Sequence, residues 1–137
     1  MLMRLSPAQA YRRVELDAFI MGAAAADLTA ICFDEAIGAI RRAIFAHDRA
    51  SPDLRDRSLL TAINSIDALR LGVDRNHALA HALLTIYHGA GMLVRSSMRQ
   101  FDAGNLQQAA TDLSEIRSIV ASPRPADNTS SSATALA

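Results

Sequence analysis

Between Leu28 and Phe45 the chain reads LTAICFDEAIGAIRRAIF, and its apolar residues recur at helical spacing in two overlapping sets. Leu28, Ile31, Cys32, Ala36, Ala39 and Ala43 make one stripe; Phe33, Ile37, Ile40 and Ile44 make the other. A helix at the surface of a globular protein needs one apolar stripe of roughly 100°. A helix that is apolar over more of its circumference needs neighbours on more than one side. The stretch therefore predicts the spine of a helical bundle, with other helices wrapped around it. Only Asp34, Glu35, Arg41 and Arg42 remain as a polar strip.

The rest of the chain supplies the partners. Ser6-Pro7-Ala8-Gln9 has the form of a helix start, with Ser as cap, Pro at the first helical position and Gln three residues on. A short amphipathic arm with Tyr11, Val14, Phe19 and Ile20 follows, and Gly22 interrupts it before the spine. Arg49-Ala50-Ser51-Pro52 breaks the spine, because the residue before Pro is pushed out of the helical region. A second helix is expected from Pro52 to about Leu71, striped by Leu59, Ile63, Ile66 and Leu69, with Gly72 as its stop. A third is expected from about His77 to Phe101, with Gly89 and Gly91 inside it to allow close contact or leave a dent. After a turn at residues 102–105, a fourth runs from Leu106 to about Val120. The expected architecture is all-α: an antiparallel up-down four-helix bundle over residues 23–121, an N-terminal arm over 1–22 and a flexible tail over 122–137. The tail, rich in Ser, Thr, Pro and Ala, has too little apolar content to order itself.

A chain of 137 residues is one domain, long enough to bury its own core. Its basic groups are all arginine, 14 against 14 Asp plus Glu, so it lacks the basic footprint of a nucleic-acid partner or an anionic membrane surface. Cys32 is the only cysteine, which precludes an internal disulfide and suits a reducing compartment. In the middle of an apolar stripe it reads as a small buried hydrophobe. The N-terminal MLMRLSPAQ has no apolar signal-peptide core. The longest run without Asp, Glu or Arg, Asn76 to Val94, contains three His and two Gly and is rejected as a membrane span. A soluble, cytoplasmic protein without membrane insertion is the expectation.

Reaction chemistry is hard to find. On a continuous third helix His77, His81 and His88 would share a face, and His at i and i+4 can share a metal. His88 would lie about 10.5 Å beyond His81, too far for the same ion, and no Glu-x-x-His pattern provides di-iron ligands. A solvated polar face is the better reading, with no metal and no cofactor. There is no phosphate-cradling Gly loop, no Gly-x-Ser-x-Gly and no His-Glu-x-x-His. A helical bundle with surplus apolar surface and no catalytic constellation points to a protein-binding module.

Three stretches carry a family resemblance. Tyr11-Arg12-Arg13-Val14 is similar to an N-terminal Tyr followed three residues later by Val. Leu28 to Ile37 is similar to a helix reading L-x-x-M-L-Y-D-G-A, with Glu35 in place of the Gly. Leu79 to Ala90 is similar to I-A-x-N-L-x-x-L-Y-D-Y-M, with Ala82 for Asn and His88-Gly89 for Asp-Tyr. In order and spacing, over about Tyr11 to Val120, the chain resembles the flagellar secretion chaperone family FliS. The resemblance implies a cytoplasmic chaperone that binds the C-terminal segment of flagellin, prevents its premature polymerisation and presents it to a component of the export gate. It implies partner-binding roles for Tyr11, Val14, Leu28, Ile31, Phe33, Asp34 and Tyr87. The alternative is a dimerisation or scaffold module that forms a homodimer through the same apolar faces.

Overall fold

A computed structural model describes residues 22–120 of the chain. They form four helices: α1 (Gly22–Asp48), α2 (Pro52–Leu71), α3 (Ala80–Arg99) and α4 (Ala103–Val120). Each helix packs on the next in chain order and α4 returns to α1. With links this short the result is the antiparallel up-down bundle that the stripes imply. No strand occurs among the described residues, and no helix there is long and apolar enough to cross a membrane. Apart from Gly22, which opens α1, the expected arm and tail lie outside the described residues.

α1 is a corner of the bundle rather than a spine wrapped by the others. It packs on α2 and α4 and reaches α3 across the core where the rings of Phe33 and Tyr87 meet at 5.9 Å between centroids. Its outward side keeps Ile31 58% and Phe45 53% exposed. The apparent excess of apolar circumference has a physical explanation. The first stripe is mostly Ala and Cys, and small residues serve close approach rather than a wide core face. α1 and α2 indeed share the most extensive helix contact in the bundle, and α2 has its own buried small residues in Ser58, Ala62, Ser65 and Ala68. The core itself is built from Phe33, Ile40, Leu59, Ile66, Leu69, Tyr87, Val94, Leu106 and Leu113, all essentially enclosed. Each such side chain contributes roughly 1.5–3 kcal/mol by leaving water.

The helix ends follow from local chemistry. α1 ends with Ala50 in the left-handed region at φ 54°. The Ser51 N–H donates to the Ala46 carbonyl at 2.8 Å and the Ala50 N–H to the His47 carbonyl at 3.1 Å, a Schellman closure usually given to Gly. α4 begins at Ala103, three residues before the expected Leu106, because Asp102 caps it: Oδ1 accepts from the Asn105 N–H at 2.9 Å. His47 stacks on Phe101 at 3.8 Å and joins the end of α1 to the α3–α4 link.

α3 starts at Ala80, not His77. Residues 73–79 instead form a knotted turn held by its own side chains. The Asp74 carboxylate accepts from the Asn76 N–H at 3.0 Å, and His77 Nδ1 accepts from the Leu79 N–H at 3.0 Å. Such side-chain bonds compete with the first turn of a helix. The correction removes His77 from the helix, so His77, His81 and His88 do not share a helical face. Two ion pairs cross the seams between helices. Arg117 binds Asp34 through both carboxylate oxygens at 2.7 and 3.1 Å, joining α4 to α1, and Arg95 meets Asp67 at 3.2 Å, joining α3 to α2.

Candidate functional site

The antiparallel order brings the start of α1, the end of α2, the start of α3 and the end of α4 to one end of the bundle. The two ends are closed differently. At the far end the His47–Phe101 stack lies over the helix termini. At this end the core stops short and leaves an open cavity of about 330 Å³. Leu69, Val73, Leu83 and Tyr87 line it, as do Thr29 from α1 and Ile119 and Val120 from α4. Leu79 stands at its edge from the α2–α3 link.

The rim is unusually apolar for a solvent-facing surface. Leu79, Ile119 and Val120 are all exposed large hydrophobics, and they line one opening rather than being scattered singly. Such a patch marks an interaction site. The four helices cannot close it themselves: α3 begins late, after a link occupied by its own turn, and α4 ends with Val120 in the lining.

The cavity has little polar chemistry to offer. Besides the buried Tyr87, its titratable groups are Asp74 and His77, and an oxygen of the one and Nδ1 of the other already accept backbone N–H groups of the link. They build the wall rather than face a substrate as an acid–base pair. Among the described residues no three His, Cys, Asp or Glu come together as a metal-ligand set. Cys32, fully buried in α1, has its thiol pushed up to about 11, first by burial and second by the Glu35 carboxylate. That is the opposite of a reactive thiolate. The arrangement suits apolar recognition.

The residues singled out from the sequence separate into distinct groups. Tyr87 is buried and lines the cavity. Phe33 is fully enclosed and supports Tyr87 from beneath through their tilted ring contact, so it shapes the site rather than meeting a ligand. Leu28 is half-buried against the core on the first turns of α1, beside the lining residue Thr29. Ile31 projects outward on the same helix. Asp34 is exposed and pairs with Arg117, which fixes the end of α4 against α1. Tyr11 and Val14 lie outside the described residues. Sequence reasoning missed Val73, Leu79, Ile119 and Val120. Each stands at or beyond a helix terminus, where a stripe does not tell a packed residue from one left at the rim. Arg117 was missed as well, because a partner 83 residues away in sequence leaves no local trace.

Residues 7–125 match the family model described as flagellar protein FliS. No curated protein and no solved structure matches the chain.

Proposed function

Because the chain belongs to the flagellar protein FliS family, a family of chaperones for flagellum assembly, we propose that it is a cytoplasmic export chaperone whose open bundle end receives the apolar C-terminal segment of flagellin. The observation that carries this reading is the cavity lined from all four helices and rimmed by exposed Leu79, Ile119 and Val120. A flagellin tail with apolar residues at helical spacing would insert its side chains there and continue along the outward side of α1 past Ile31, part helix and part extended chain. Ordering the tail has an entropic cost, offset by apolar burial spread over a long surface. Occupied in this way, the tail cannot polymerise before it is handed to the export gate.

The segment before Gly22 has a place in this scheme. Tyr11 lies 11 residues before Gly22 in the sequence, at most about 36 Å away at full extension, a span that permits a contact with a client at the cavity. Tyr11 and Val14, to which the resemblance gives partner-binding roles, would add contacts to the bound client.

Titration calorimetry of the full chain with a flagellin C-terminal fragment tests the reading. A defined heterocomplex is expected, with an affinity that changes little with salt because the contacts are apolar. No complex at tens of micromolar would overturn it. Homo-oligomers alone, with no heterocomplex, would favour the scaffold alternative.

A further inference from the structure

A second surface stands apart from the open end. Between α3 and α4, midway along the bundle, runs a groove of about 510 Å³ that shares no lining residue with the end cavity. Its floor is aliphatic: Ile86 and Leu93 from α3 and Ile116 from α4, all half-buried. At its centre is Gly89, where a Cβ would meet nothing within 4 Å. Gly91, two residues on, is the contrasting case, since a Cβ there would lie 3.7 Å from Ile66. Gly91 thus faces α2, where a Cβ would make an ordinary contact, whereas Gly89 faces open space and leaves an indentation toward solvent.

The groove is also charged on one side. Asp112 and Glu115 line it from α4, three residues apart and so neighbours on one helix face. No ion pair holds either carboxylate among the described residues; Asp112 accepts only from Gln108 of its own helix at 2.8 Å. The arginines of these two helices are directed elsewhere. Arg95 pairs with Asp67 on α2, Arg117 pairs with Asp34 on α1, and Arg99 lines a separate hollow at the α3–α4 link. The result is an aliphatic channel with a central dent and an uncompensated acidic edge.

We propose that this groove docks an amphipathic helix of a second protein, one whose apolar stripe is flanked by Lys or Arg. Two antiparallel helices present ridges and a groove into which a third helix fits as a further member of the bundle. A large aliphatic side chain of the incoming helix fills the space above Gly89, its neighbours rest on Ile86, Leu93 and Ile116, and its basic flank meets Asp112 and Glu115. The acidic edge supplies selection, because complementary charge speeds encounter and suppresses wrong partners more than it adds affinity. A chaperone with this surface carries a client at its end and a basic helix on its flank.

The test uses the full chain and two synthetic helical peptides of about five turns, roughly 18 residues each. Both have the same leucine stripe; one has arginine flanks and the other glutamate flanks. Binding is followed by fluorescence anisotropy and by amide shifts. The arginine peptide should bind at least about tenfold more tightly than the glutamate peptide and weaken as salt rises. Shifts should centre on Ile86, Leu93 and Ile116. Gly89→Leu, which fills the dent and suits a helix better than Gly, should reduce binding about tenfold or more. Asp112→Asn with Glu115→Gln should erase the preference between peptides while keeping the fold, checked by thermal melting. Equal binding of the two peptides overturns the proposal, as does unchanged binding to the Gly89→Leu chain, shifts confined to the open end, or no binding of the arginine peptide at millimolar concentration.

Discussion

Replacing Leu79 and Ile119 together by Ser removes the cavity rim without opening the core. Leu79 is 50% exposed and Ile119 67% exposed, so those fractions of each side chain remain for a ligand to cover. Full burial of such a side chain is worth roughly 1.5–3 kcal/mol. The share left for the client is then about 1 kcal/mol at Leu79 and about 1–2 kcal/mol at Ile119. The pair should therefore weaken binding of the flagellin C-terminal segment by about 2–3 kcal/mol, or roughly 30- to 150-fold in Kd. Folding stability, measured by urea denaturation, should fall by less than about 1 kcal/mol, since the lost surface is largely solvent-facing in the folded chain. Leu60→Ser is the matched control. Leu60 is as exposed as Leu79 but lies on α2 outside the cavity lining, and its replacement should leave Kd unchanged. Calorimetry on the three proteins decides the matter. A Kd for the double variant within about threefold of the parent, with the fold intact, refutes the assignment of the open end as the client site.

Four further outcomes concern the fold. Ile37, 7% exposed in α1, should cost about 2–5 kcal/mol as Ile37→Ala; a loss below roughly 1 kcal/mol in denaturant unfolding would remove it from the core. Ser65 is fully buried with its hydroxyl unpartnered, so Ser65→Ala should raise stability by about 1 kcal/mol, and a drop of that size would mean the hydroxyl is satisfied in solution. Ala50 occupies the left-handed region at φ 54°, and Ala50→Gly should add about 0.5–1 kcal/mol, read as a higher urea midpoint. The Cys32 thiol, pushed up to about 11, favours the neutral form on folding; its stabilisation is complete below the unfolded value of about 8.5 and lost as pH rises to about 11. Native protein should resist thiol reagents near neutral pH, and fast labelling without unfolding would contradict this.

Helix number, order and much of the core were legible in the sequence because a buried stripe repeats every three or four residues. Leu59, Ile63, Ile66 and Leu69 stand buried on α2 as the pattern requires, and the Pro52 start and Leu71 end of that helix are where Pro and Gly chemistry puts them. Errors arose where several readings of small residues compete. The alanines of α1 satisfy any apolar template, so periodicity overcounted the helix's neighbours. His77 and Leu79 fit a helical stripe equally well on or off α3, and the turn won through bonds from Asp74 and His77 that sequence spacing does not register. Of the two meanings offered for Gly89 and Gly91, the dent is found at Gly89, while Gly91 faces Ile66 with ordinary room for a Cβ. The site was the least legible part. Its lining is gathered from four helix ends far apart in sequence, and a cavity is a property of what the chain fails to fill.

The four seams of the bundle explain why its exposed apolar surface is where it is. α1 and α2 meet through small side chains, which brings the backbones close and leaves little room for a ligand between them. The α2–α3 seam is crossed by Arg95 to Asp67, and the α4–α1 seam by Arg117 to Asp34. Exposed pairs of this kind add at most about 1 kcal/mol each. They also place charge across seams that would otherwise present continuous aliphatic surface. Only the α3–α4 seam has neither device among the described residues. There the aliphatic floor stays open and the carboxylates on its edge lack a cation. Among the described residues no ion pair crosses the cavity at the open end either. The end cavity and the flank groove differ in the selectivity they can exert: the cavity by shape and hydrophobicity, the groove also by charge.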